Sequence, residues 1–176
     1  MSNYFQLYNI PESFKPDAAV VKSKFFELSR KYHPDRFSQA SEDEQAVALQ
    51  QSAENNTAYR VLTHADKLMA YILKINNLLE DEEKYSLPPA FLMEMMDLNE
   101  LVEEYEADPS NATLRQKAYS SVEEAFGALN EALEPLCASY NQDSSQKHLL
   151  IKIKDYYFRK KYLLRIQERI NTFALR

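Results

Sequence analysis

His33, Pro34 and Asp35 set an imidazole and a carboxylate on either side of a residue whose ring locks its own φ and removes an amide donor. Such a pair can accept, donate and change charge near neutral pH. It has no nucleophile to activate. No serine or cysteine stands in a recognisable nucleophile elbow, and no Ser/His/Asp order suggests catalysis. What remains is recognition through a fixed polar turn, or simply the polar turn of a loop. Lys22, Lys24, Arg30 and Lys31 precede it and Arg36 follows it.

A second group lies between residues 91 and 105. With Leu98 at zero on a wheel of about 100° per residue, Phe91, Met95, Leu101, Val102 and Tyr105 fall within about 60° and define a core face. The opposite arc holds Met93, Met96, Asp97, Glu100 and Glu104, with Leu92 at its edge; Glu94 falls near the core side and breaks the pattern. Clustered exposed apolar side chains mark interfaces, and methionine is deformable enough to suit one. A neighbouring element covering them would leave the same pattern.

Other candidates carry less chemistry. His33, His64 and His148 lack metal-ligand spacing, so no metal and no cofactor are expected. Cys137, the one cysteine, rules out an intrachain disulfide and a CxxC zinc site, and lies on an apolar stripe where packing is expected. Gly127 is the one glycine, which excludes Gly-rich phosphate cradles.

These residues need elements to hold them. Tyr4 to Tyr8 forms a short first helix, and Asp17 caps the next. Ala18, Val21, Phe25, Leu28 and Tyr32 recur at helical spacing as one stripe, ended by Pro34 because the residue before proline avoids the α region. Asp35 to Ala40 reads as a loop. Ser41 and Glu44 make a capping box for a helix to about Leu62; Thr63 and His64 break it before a shorter helix from Asp66 to about Ile75. The acidic segment ending in Leu87-Pro88-Pro89 is a boundary. Beyond it three helices are expected: Ala90 to Ala107, a long one carrying Leu114 to Tyr140 with a kink at Pro135, and one from about Gln146 to Thr172 with Leu149, Ile153, Tyr156, Leu163 and Ile170 inward. The fold class is therefore all-α: a helical hairpin with flanking short helices over residues 1–75, a linker at 76–88, and a three-helix bundle over 89–176.

Composition bounds the function. The chain has 176 residues, 45% of them hydrophobic, enough for a real core and too many for wholesale disorder. A net charge of −6 disfavours a generic nucleic-acid binder. Eleven acids and one base fall between Glu80 and Asp108, and eight bases and two acids between Lys147 and Arg169. The basic last helix can neutralise the acidic one across the bundle, or lie on a membrane surface or in a calmodulin-like groove. No apolar run reaches the roughly 20 residues of a membrane span, and no leader is expected at the N-terminus.

In context, the tripeptide carries more weight. Lys31-Tyr32-His33-Pro34-Asp35-Arg36, after a basic amphipathic helix and before Ala58-Tyr59-Arg60-Val61-Leu62, resembles the J domain that J proteins use against seventy-kilodalton heat-shock chaperones. The resemblance covers about residues 3 to 75. It implies that Lys22, Arg30 and Lys31 dock electrostatically on the chaperone's ATPase domain, and that His33, Pro34 and Asp35 favour ATP hydrolysis. Phe26 and Glu27 depart from positions that are basic in many J proteins, and Asn55 stands where an apolar core residue is common. Phe91 to Glu100 resembles the client-binding helix of the HscB family, J proteins devoted to iron–sulfur cluster assembly. That resemblance implies a non-enzymatic, cytoplasmic bacterial co-chaperone, monomeric, bound to an HscA-type chaperone and an IscU-type scaffold, with neither nucleic acid nor membrane as a partner. Leu92, Met93, Met96, Asp97, Glu100 and Glu104 would touch the scaffold, joined by Tyr156 or Tyr157 of the last helix. A J protein for another client, or a plain helical adaptor, are the alternative readings.

Overall fold

The computed structural model describes residues 3–174, with side chains to Thr172. Among the described residues there are seven α-helices and no strand: α1 Tyr4–Tyr8, α2 Ala18–Lys31, α3 Glu42–Leu62, α4 Ala65–Ile75, α5 Pro89–Ala107, α6 Ala112–Gln142 and α7 His148–Ala174. They form two compact units. One runs up to Leu79 and includes Tyr140–Ser145; the other takes Glu80–Ser139 and continues from Gln146.

In the first unit, helix starts follow local chemistry. Asn3 caps α1, and Asp17 Oδ1 accepts the amides of Ala19 and Val20 at 2.8 and 3.1 Å. Ser41 and Glu44 form the reciprocal capping box that opens α3. The α2 stripe is narrower than its spacing suggested. Val21 is buried and Phe25, Leu28 and Tyr32 are half-buried, but Ala18 is exposed, as are Ala19 and Val20 beside it. Phe25 stacks on Tyr59 with centroids 4.3 Å apart, joining α2 to α3. From α4, Leu68, Met69, Tyr71, Ile72 and Leu73 close the core, and the Tyr71 hydroxyl accepts the Tyr4 amide at 2.7 Å.

One segment departs from the expected organisation. Tyr140–Ser145 stands in the range assigned to the bundle, yet it packs with the first unit. Tyr140 is fully buried, donates to the Glu12 carboxylate and meets the Phe14 ring edge-on, while Asn141 Oδ1 accepts the Phe14 amide at 2.7 Å. These contacts join residues more than a hundred positions apart, which no local period reveals.

The second unit is built on one cluster: Phe91, Met95, Leu98, Val102 and Tyr105 of α5, Ala118 and Val122 of α6, and Leu163, Ile166 and Ile170 of α7. α6 runs through Pro135 without ending. Part of the expected linker is not free chain. Tyr85 stacks on Phe158 at 4.4 Å and donates to Asp155 at 2.9 Å, and Glu83 pairs with Lys154, so 83–87 is strapped to α7.

Candidate functional site

The first candidate surface is the junction of α2 and α3. α2 ends at Lys31 because His33 must be extended before Pro34, and it is, at φ −65° and ψ 132°. The stretch expected as loop is ordered in its first half: Pro34–Phe37 is a 3-10 turn, favoured because Pro34 is preset for its first position. His33 caps that turn, its Nδ1 accepting the Asp35 amide at 3.3 Å, which leaves the ring proton on Nε2. The same nitrogen lies 3.5 Å from Asp35 Oδ2. The Asp35 side chain is 90% exposed, which leaves it accessible to a partner. Arg36 Nη1 donates to the Arg30 carbonyl at 3.2 Å and Ser38 Oγ to the Asp35 carbonyl at 3.0 Å, tying the turn to the end of α2.

A buried amide joins the two helices of the hairpin. Asn55 is 1% exposed; its Nδ2 donates to the Phe25 carbonyl and to Ser29 Oγ, both at 3.0 Å, and its Oδ1 accepts the Tyr8 hydroxyl at 2.8 Å. The polar residue at an apolar register is thus satisfied on every side, linking α1, α2 and α3. Burial pushes the Tyr8 hydroxyl above its ordinary pKa.

Lys22, Arg30 and Lys31 are all exposed, but they do not make one patch. At about 100° per residue Arg30 lies about 80° from Lys22, with Phe26 between them, whereas Lys31 lies about 180° from Lys22. Lys31 sits over the Tyr32 ring at 5.0 Å, and Lys24 is tied to Glu27 at 2.8 Å. The flank that joins Lys22 to the turn therefore carries Arg30 and an exposed phenylalanine, Phe26 at 48%. Sequence reasoning missed a groove of about 230 Å³ formed by Tyr32, Phe37, Asp43, Glu44, Val47 and Ala48. The signal was present in Val47, an apolar residue off the core stripe of α3.

The second candidate surface is the outer face of α5. Leu92, Met93 and Met96 are exposed at 39%, 68% and 61%, and Asp97, Glu100 and Glu104 are exposed beside them. Glu94, which sat awkwardly on the wheel, is exposed as well. The inner side of α5 meets α7. Asn99 donates to the Tyr162 hydroxyl at 3.2 Å and accepts from Arg169 at 3.1 Å, and Arg169 grips Glu106 through two nitrogens at 3.2 and 3.0 Å. Arg159 stacks over Phe91 at 5.2 Å; its Nε is 2.6 Å from Asp155 Oδ2 but off the line a hydrogen bond needs. Arg169 thus neutralises α5 at Glu106, while Asp97, Glu100 and Glu104 around Met96 are exposed.

Tyr156, expected at the client surface, is almost wholly covered. It is 5% exposed, with its hydroxyl donating to Asn130 of α6 at 2.7 Å, so its ring is core. The spacing of Leu149, Ile153 and Tyr156 already placed it on the inward stripe. Tyr157 is half-buried against Phe158. The α7 aromatic that meets α5 is Tyr162, whose ring crosses Phe91 at 5.9 Å.

A J-type hairpin with an exposed His-Pro-Asp turn, joined in one chain to a three-helix unit with an apolar and acidic outer face, is the build of a J-domain co-chaperone. Residues 87–171 match the family model described as the HSCB C-terminal oligomerisation domain. A co-chaperone HscB homologue of Vibrio campbellii is 38% identical over 113 residues, which span 62% of this chain and 66% of that protein. The homologue of Vibrio atlanticus is 32% identical over 137 residues, 75% of this chain and 80% of its own length. The solved chaperone HscB of Vibrio cholerae superposes with a TM-score of 0.67 over 98% of this chain and 99% of its own, at 26% identity. The chain belongs to the HscB family of co-chaperones. For the Vibrio campbellii protein the match spans just under two thirds of the relative's length.

Proposed function

We propose that this protein stimulates ATP hydrolysis by an HscA-type seventy-kilodalton chaperone and delivers to it an IscU-type iron–sulfur scaffold, assisting maturation of iron–sulfur proteins without being an enzyme itself. The observation that carries this reading is the exposed turn of His33, Pro34 and Asp35, closed by Ser38 and tied to the end of α2 through Arg36. A rigid loop loses little entropy on docking. Lys22 and Arg30 supply positive charge on the adjoining flank of α2, and Lys31 contributes from its other side, so association should be fast and salt-sensitive. Residues 1–75 face the chaperone, 76–88 connect, and residues from 89 onward carry the client. There Leu92, Met93 and Met96 form the apolar centre of the client surface and Asp97, Glu100 and Glu104 its acidic rim.

The test is steady-state ATPase of the chaperone with this protein and the scaffold added singly and together. Synergy between the two is expected. His33→Gln should abolish stimulation while calorimetry still registers scaffold binding; a variant that stimulates fully refutes the role of the turn. Leu92→Ala with Met93→Ala should weaken scaffold binding by about 2–4 kcal/mol. Unchanged affinity would refute the α5 assignment, and stimulation without scaffold binding would point to another client.

A further inference from the structure

Some cations of α7 are engaged by carboxylates and others are not. Lys154 holds Glu83, Arg159 stands against Asp155, and Arg169 grips Glu106. Lys161 and Arg165 are exposed and, among the described residues, meet no carboxylate; the same is true of Lys84 in the segment strapped to α7. These three cations line one groove of about 300 Å³. Its floor is apolar, made by Leu87, Phe158 and Tyr162 with Tyr85. Glu83, the carboxylate in its wall, is engaged by Lys154, whose hydrogen bond keeps that carboxyl below its ordinary pKa. In a chain of net charge −6, three cations that meet no carboxylate among the described residues share one concavity, Lys161 lying over the Phe158 ring at 5.9 Å, and their mutual repulsion favours an anionic occupant.

The floor narrows the occupant further. Tyr85 and Phe158 stack on each other within 4°, with Lys154 over Tyr85 at 5.8 Å and Lys161 over Phe158 at 5.9 Å, so these two rings are already engaged and offer little to a stacking nucleobase. Three cations are also few for a long polyanion, whose binding grows with the number of phosphates neutralised. We infer that this groove docks a short acidic peptide segment of a partner protein, its carboxylates on Lys84, Lys161 and Arg165 and one apolar side chain on Leu87 and Tyr162. This surface is separate from the outer face of α5 and does not depend on the scaffold reading.

The test titrates the isotope-labelled full chain with a capped synthetic peptide of Asp, Glu and Ser carrying one central Leu. Amide shifts should centre on Lys84, Lys161 and Arg165, and affinity should fall as salt rises. Lys161→Glu with Arg165→Glu should weaken binding about tenfold, since two exposed attractions become repulsions, with an unchanged circular dichroism spectrum. Should that variant misfold, Lys84→Glu, on the segment outside the helices, gives the second reading and should weaken binding several-fold. Shifts centred elsewhere, unchanged affinity in the folded variants, or equal binding of the peptide with Asn and Gln for its acids would overturn the proposal. So would inorganic phosphate reproducing the shifts, an oligonucleotide displacing the peptide, or the same shifts appearing with protein concentration alone; these would mark a free-anion site, a nucleic-acid site and a contact with a second copy respectively.

Discussion

Asn55 places an amide where the resemblance to J domains implies an apolar core residue, and the cost of burying it is met by three partners on two other helices. The arrangement is directional in a way a leucine would not be. It sets the axial register of α2 against α3, and α2 carries the turn of His33, Pro34 and Asp35 at its end. Asn55→Ala removes the donors to Phe25 and Ser29 and leaves a void. Denaturant unfolding should register a loss of about 2 kcal/mol, and backbone amide shifts at Ser29 and onward toward the turn should move with it. Unaltered shifts at the turn would mean that packing alone, through Phe25 on Tyr59, holds the register. A residue-level reading of sequence could see that Asn55 was anomalous but not that it was satisfied, because its partners come from positions 8, 25 and 29. Tyr156 shows the converse. Its spacing put it on the inward stripe of α7, and burial with a bond to Asn130 follows from that spacing, not from the role assigned by resemblance.

Elements with local causes were legible. The caps at Asp17 and Ser41, the break at Thr63 and His64, and the two faces of α5 rest on interactions within a turn or two of chain, so spacing suffices to find them. What spacing could not deliver was the width of a buried stripe. Ala18 repeats in register with Val21, yet stays exposed together with Ala19 and Val20. Likewise three cations near one another in sequence, Lys22, Arg30 and Lys31, divide across two sides of α2 once the helix is wound. The capping box gives a test at this scale. Ser41 Oγ and the Ser41 amide donate to the Glu44 carboxylate, which holds its pKa below the ordinary value. A depressed carboxyl stabilises the folded helix end above the unfolded pKa, and that contribution is lost as pH falls through the folded one. Acidification below about pH 4.3, the usual glutamate value, should therefore speed amide exchange at the first turn of α3 ahead of its middle. Glu44→Gln should flatten that dependence; an unchanged profile in the variant would show that the fraying has another source.

At the scale of the whole molecule, α6 contributes to both compact units, and the part that joins the first is the part sequence could not place. Tyr140 is fully buried and meets Glu12 and Phe14 within the first unit, contacts whose signature is three-dimensional. Two consequences can be separated by substitution. Tyr140→Ala removes the ring as well as the hydroxyl and should lower the stability of the first unit by about 3–5 kcal/mol, the range for emptying an aromatic site. Tyr140→Phe keeps the ring and should cost about 1 kcal/mol near neutral pH. The two variants should also differ from the parent in alkali. Burial first, and then the hydrogen bond to Glu12, push the Tyr140 hydroxyl above the ordinary tyrosine value. A phenol whose folded pKa is raised contributes stability in full below the unfolded pKa, about 10, and loses it as pH rises toward the folded one. The parent should therefore weaken above about pH 10 more steeply than Tyr140→Phe, with Tyr8, raised by burial in the same way, keeping part of the slope in both. Urea unfolding at a series of pH values, read through amide signals of α1 and α4, measures this directly. Parallel curves for parent and Tyr140→Phe would mean that Tyr140 ionises no harder when folded than when unfolded, and that the Glu12 contact does not hold its proton.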